Sequence, residues 1–149
     1  MLGSSVAACT SRSAAPVALP ERSAAGLEQA PLTIRSGSRV HRFTVEIARS
    51  PLEQEAGLMH RESLAPNRGM IFPYDPPQPA SFWMKNTLIP LDIIFIRADG
   101  SIARIAANTV PLSLELVPAG EPVSAVLEIP GGRAAELGIK PSDTVDWPG

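Results

Sequence analysis

The residue types able to do chemistry concentrate in Trp83-Met84-Lys85-Asn86-Thr87, with Asp92 just beyond, Arg61 upstream and Glu128 downstream. Lys85, Asn86, Thr87 and Asp92 fall within the most apolar stretch of the chain, Phe82 to Ile96. An unpartnered polar group there costs roughly 1–3 kcal/mol, so each must be satisfied. They can line a polar pocket, with Trp83 offering a flat apolar face to a sugar ring or a cation. They can equally serve the fold, Lys85 pairing with Asp92 or Glu128 and Asn86 tying a bulge. Arg61 has the same two uses: a guanidinium for a carboxylate or phosphate, or a partner for Glu62 or Glu128. The ligand-binding candidates are therefore Trp83, Lys85, Asn86, Thr87, Arg61, Asp92 and Glu128.

Catalytic machinery is sparse. Cys9 lies in a tail, and neither His41 nor His60 sits in a nucleophile motif. Asp92 and Glu128 with Lys85 could serve a small hydrolase, the two carboxyls working as glycosidase pairs do, but strand carboxylates more commonly pair with Lys or Arg. Met59, Met70 and Met84 with His60 supply donors that select Cu(I), yet at no ligand spacing and at positions expected of core gap fillers. Gly131-Gly132-Arg133 ahead of a helix could hold an anion. No metal and no cofactor is expected, and binding is favoured over catalysis.

The net charge is −2, with no cluster among eleven Arg and two Lys, which disfavours nucleic acid as a partner. The apolar run Leu88 to Ile96 is broken by Pro90 and Asp92 and falls far short of the roughly 20 residues that span a bilayer.

Val6-Ala7-Ala8-Cys9 has the aliphatic, small, small, Cys order at which bacterial lipoprotein signals are cut and the Cys diacylated. Only eight residues precede Cys9, without a basic start or an apolar segment, so residues 1–39 read as a truncated lipoprotein-type signal followed by a disordered Ala, Ser and Pro-rich tether. The expected location is extracytoplasmic, periplasmic and lipid-anchored, with the membrane reached only through the lipid. If the motif is accidental, the location becomes cytoplasmic.

Residues 40–149 carry every aromatic and read as a single domain. His41 to Ala48 alternates as a half-buried strand. Ser50-Pro51-Leu52-Glu53 is a capping box opening a short helix, with Leu52, Ala56 and Met59 forming a stripe toward the core. Met70-Ile71-Phe72 reads as a buried strand, the proline-rich Tyr74 to Pro79 as a loop, and Phe82 to Asn86 and Leu91 to Arg97 as strands. Asp99-Gly100 marks a hairpin into Ser101 to Ile105. Leu112 to Val117 and Val123 to Ile129 follow as strands, then a helix from Arg133 to Leu137 stopped by Gly138, and a closing strand at Thr144 to Trp147. The expected fold is α+β, mainly antiparallel, a small curled sheet or barrel with two short helices.

Gly57-Leu58-Met59, Arg61, Gly69-Met70-Ile71-Phe72, Phe82-Trp83-Met84-Lys85-Asn86-Thr87, Pro90-Leu91-Asp92, Val126-Leu127-Glu128 and Gly138-Ile139 occur in one order. In these the chain closely resembles the family of domain of unknown function 192, over about Phe43 to Val145. One departure is Ser142-Asp143, where the family usually has Gly-Asp. The resemblance implies a small, mostly β domain, often exported or lipid-anchored, and brings no established activity. The function expected is a non-catalytic binding domain for a cell-envelope component, a glycan or an envelope protein.

Overall fold

The computed structural model describes residues 22–149. Seven strands and two helices follow one another as β1 (Glu28–Ser36), β2 (Arg39–Ile47), α1 (Pro51–Ala56), β3 (Arg68–Phe82), β4 (Leu91–Ile96), β5 (Ile102–Ala106), β6 (Val117–Pro130), α2 (Arg133–Leu137) and β7 (Thr144–Asp146). They form one sheet in the order β5-β4-β6-β3-β2-β1-β7. It is mostly antiparallel, but β2 and β3 run parallel because α1 carries the chain across between them. The sheet is therefore mixed. It curls into a half-barrel, and its two ends meet where Ser101 bridges Thr144 and Val145 N–H donates to Gly100 O at 2.8 Å. No helix among the described residues is long and apolar enough to cross a membrane.

Curling gives the sheet two cores. Inside lie Leu32, Ile34, Phe43, Val45, Ile71, Ile94 and Leu127 with their neighbours, closed by Ala134 of α2. On the outer face, Leu58, Phe72, Met84, Ile93, Phe95 and Val126 pack under the segments that follow α1 and β3. β4, paired on both sides by β5 and β6, is buried at all six positions, which explains why Leu91 to Ile96 is nearly continuously apolar rather than alternating.

Several sequence expectations change here. The domain does not begin at residue 40: β1 pairs with β2 from Glu28↔Ile47 to Ser36↔Arg39, and Ala30, Leu32 and Ile34 alternate into the core. Cys9 and the residues through 21 lie outside the described residues. The capping box is present, with Glu53 N–H donating to Ser50 Oγ at 3.2 Å and Ser50 N–H to Glu53 Oε2 at 2.8 Å. The apolar stripe is not: α1 ends at Ala56, buries none of its residues and leaves Leu52 77% exposed, while Leu58 just beyond enters the core. The proline-rich segment belongs to β3, although β3 and β6 lose register between Pro73 and Gln78 and regain it at Gln78↔Val123. Leu112 to Leu116 is loop, with Leu112 at φ 65° and its N–H donating to Thr87 O at 3.0 Å, and strand resumes only at Val117.

The candidate ligand pocket around Glu128

β6 positions the most unusual carboxyl of the domain. Glu128 lies opposite Met70 on β3 and Ile93 on β4, on the outer face that it shares with Val126. Close approach of β3 to β6 depends on Gly69, since a Cβ there would stand 2.5 Å from Glu128 O. Glu128 is only 5% exposed, yet none of the described residues hydrogen-bonds its carboxyl or forms an ion pair with it. Burial pushes its pKa from the ordinary 4.5 up to about 8, so at neutral pH the group is mostly a carboxylic acid.

The carboxyl opens into a cavity of about 260 Å³. Met70, Phe72 and Tyr74 alternate along β3, and the last two bring their rings to the wall. Phe82 closes edge-on against Phe72, with centroids 4.9 Å apart. Trp83 forms the rim, 42% exposed, and Thr87 adds a hydroxyl. The opposite wall is the end of α1, including Gln54, Glu55 and Gly57. Gln54 Nε2 pins that wall by donating to Ala48 O at 3.0 Å and Pro73 O at 3.1 Å. Burial first, then the charge of Glu128, pushes the Tyr74 phenol up to about 12, so it stays protonated.

The segment after Phe82 is a turn, not a strand. Thr87 N–H donates to Met84 O at 3.1 Å, Asn86 takes φ 53°, and Asn86 O accepts from His60 N–H at 2.9 Å. The alternation expected of a strand therefore fails. Met84 and Thr87 turn inward while Trp83, Lys85 and Asn86 turn out. Thr87 Oγ1 donates to Lys85 O at 3.1 Å, and Lys85 Nζ rests 5.0 Å from the centre of the Trp83 ring instead of pairing with Asp92 or Glu128. Asn86 Nδ2 points at Met59 Sδ, 4.0 Å away.

Of the residues singled out by sequence, the structure brings Trp83, Thr87 and Glu128 to this cavity, with Lys85 on the rim turn. Arg61 is elsewhere, paired at 2.8 Å with Glu46 rather than with Glu62 or Glu128. Asp92 lies on the inner face with Ile94, the opposite side from Glu128, and is fully buried. It accepts from Asn108 N–H at 2.8 Å, Gly132 N–H at 2.9 Å and Ala134 N–H at 2.8 Å. The last two are amides of the Gly131-Gly132 turn into α2 that an external anion would need, and Asp92 already holds them. It therefore cannot join Glu128 and Lys85 in one cleft. Met70 and Met84 are core residues, Thr109 Oγ1 lying 3.1 Å from Met84 Sδ. Sequence reasoning missed Phe72, Tyr74 and Glu55. Phe72 is read as strand and Tyr74 as loop from the sequence, because the prolines after Tyr74 hide the continuation of β3, and the register that sets both beside Glu128 is long-range.

The family model for domain of unknown function 192, described as an "Uncharacterized ACR", matches residues 32–147. No functionally curated protein matches the chain. Among solved structures, a protein of unknown function from Novosphingobium aromaticivorans is 48% identical, with 93% of this chain and 99% of that one covered and a TM-score of 0.85. A second, from Sinorhizobium meliloti and provisionally assigned as a transcription regulator, is 39% identical, with coverage of 81% and 95% and a TM-score of 0.79. With a family match spanning nearly the whole described domain, this chain belongs to the family of domain of unknown function 192.

Proposed function

We propose that this protein is a non-catalytic, extracytoplasmic binding domain that holds a cell-envelope component, a glycan in the first place, in the pocket over Glu128. The observation that carries the reading is a buried carboxyl without a hydrogen-bond or ion-pair partner among the described residues, on the floor of an aromatic-lined cavity. A fold gains nothing from such a group, whereas a ligand hydroxyl or amine would satisfy it. The exposed Trp83 ring supplies a flat surface of the kind that stacks on sugars. The lipobox-like Val6-Ala7-Ala8-Cys9 supports placement at an envelope membrane. Regulation of transcription, the provisional assignment of the Sinorhizobium protein, finds no support in a chain of net charge −2.

A second reading rests on the raised pKa of Glu128, which would suit a general acid at neutral pH. Asp92 lies on the other face, so the set of Asp92, Glu128 and Lys85 that such an enzyme would use does not assemble in one cleft, and binding is the better account.

Peptidoglycan pull-down and a glycan array with wild type and Trp83→Ala test the site. Retention by wild type and loss in the variant is expected; equal binding by both, or none by either, refutes it. Cys9→Ala, expressed with any upstream sequence of the gene, is expected to abolish lipid labelling and membrane fractionation. Unchanged behaviour refutes the anchor.

A further inference from the structure

The charge composition of the pocket wall is one-sided. Glu128 on β6 and Glu55 on α1 contribute two carboxyls, while no Lys or Arg among the described residues lines the cavity. Phe72, Tyr74, Phe82 and Trp83 add four aromatic rings, whose faces carry negative partial charge. An anionic ligand would meet Glu55, the ring faces and, once ionised, Glu128, offset only by Lys85 at the rim, and a neutral ligand would leave the wall's potential unused. A cation meets a carboxylate for its formal charge and ring faces for its alkyl groups, the pairing by which aromatic cages hold ammonium groups. The molecule carries a small version of this contact. Lys85, an alkylammonium on the rim turn, rests 5.0 Å from the centre of the Trp83 ring.

We propose that the pocket over Glu128 recognises an alkylammonium group, with the Glu128 carboxylate as counter-ion and the rings around it, Trp83 above all, as the cage. The inference rests on the binding-domain reading and names the group that such a ligand must present. Free amino sugars and amine-bearing lipid headgroups share this chemistry.

Capture of a cation requires Glu128 to ionise, and its proton leaves to solvent. Because burial pushes that pKa to about 8, the binding-competent form is a minority below neutral pH. The other titratable groups facing the cavity are Tyr74 from β3 and Glu55 from α1, with Lys85 on the rim turn, while β4 contributes the apolar Ile93. Choline is the suitable probe, since its charge does not titrate. Its affinity is expected to rise roughly 20-fold from pH 6.5 to 8.5, following the ionised fraction of Glu128.

The experiment is NMR titration of the domain with choline, with its uncharged carbon isostere 3,3-dimethylbutan-1-ol, with glucosamine and with an N-acetylglucosamine oligomer, following the backbone amides of Gly57, Leu58, Thr87 and Glu128, which line the cavity and are present in every variant. Choline is expected to bind at least 10-fold tighter than the isostere at pH 8.5, with that preference lost in Glu128→Gln and binding weakened in Trp83→Ala; glucosamine, whose amine has lost most of its proton by pH 8.5, is compared at about pH 7.5 and is expected to bind more tightly than the isostere there. Trp83 is at the surface, so that variant keeps the fold even if Glu128→Gln does not. A choline response with a glucosamine failure assigns the group to a headgroup-type source, and the reverse to a sugar. Equal binding of choline and its isostere overturns the ammonium assignment and leaves the pocket standing. Binding of the N-acetylated oligomer alone, still sensitive to Trp83→Ala, does the same. No response of the pocket to any probe overturns both this inference and the binding reading.

Discussion

Glu128→Gln removes the ionisable group while keeping its shape, and its effect on stability can be worked from the pKa. In the unfolded chain the carboxyl titrates near its ordinary 4.5; in the folded domain it titrates at about 8. Below pH 4.5 both states hold the proton and the carboxyl contributes no pH dependence. Between 4.5 and 8 the folded state binds a proton that the unfolded state has lost, so stability falls as pH rises. Each pH unit costs about 1.4 kcal/mol. The loss approaches about 3 kcal/mol by pH 7 and levels off at about 5 kcal/mol above pH 8, a large share of the 5–15 kcal/mol typical of a domain. The Gln variant has no such loss. Urea unfolding of both proteins at pH 5, 7 and 8.5 is expected to give similar midpoints at pH 5 and a variant more stable by several kcal/mol at pH 8.5, with unchanged slopes. Every other group is common to the two proteins and cancels in the difference. Parallel pH profiles for the two proteins would refute the burial argument and remove the reason to regard Glu128 as unusual.

Further outcomes follow from the same geometry. Asp92→Ala removes the acceptor of three amides, buried at Ala134 and part-buried at Asn108 and Gly132, and is expected to cost about 3 kcal/mol in urea unfolding, with Asp92→Asn milder. Gly69→Ala drives a Cβ to 2.5 Å from Glu128 O on the neighbouring strand and is expected to cost about 2 kcal/mol or more, with the β3–β6 amides losing hydrogen-exchange protection. Arg61→Ala leaves Glu46, whose side chain is 9% exposed, without its cation; a loss on the order of 2 kcal/mol is expected, largely recovered by adding Glu46→Gln, and pure additivity in that double-mutant cycle would refute the pairing. Ser50→Ala removes the cap of α1 at about 1 kcal/mol and loosens the pocket wall carrying Gln54 and Glu55.

What the sequence made legible was local. Asp99-Gly100 does close the β4–β5 hairpin, Ser50 and Glu53 do cap α1 reciprocally, and Gly138 does end α2 in the left-handed region at φ 71°. β1 is not legible because Pro31 interrupts it and its inward set, Ala30, Leu32 and Ile34, is short and holds no aromatic. The turn at Lys85-Asn86 escaped because apolar patterning says nothing of φ, and Asn is one of the few residues that takes a positive value at little cost. The parallel β2–β3 pairing and the Met70↔Glu128 register are long-range facts. No local propensity encodes them, so the sequence named Glu128 and Trp83 as candidates without showing that they share a cavity.

The strongest argument for function is a comparison internal to the molecule. Asp92 and Glu128 are both buried carboxyls on adjacent strands, and β4 and β6 pair so that Asp92 sits opposite Ile129 and Ile93 opposite Glu128. The single-residue offset sends them to opposite faces. On the inner face the fold surrounds Asp92 with three backbone donors and uses it to start α2. On the outer face it gives Glu128 none, and instead leaves a cavity and rings around it. A sheet that satisfies one buried carboxylate so fully has no structural reason to strand another within one residue of it. The stability forfeited at Glu128 is the kind of local inconsistency that functional sites carry, offset when a ligand supplies the missing partner.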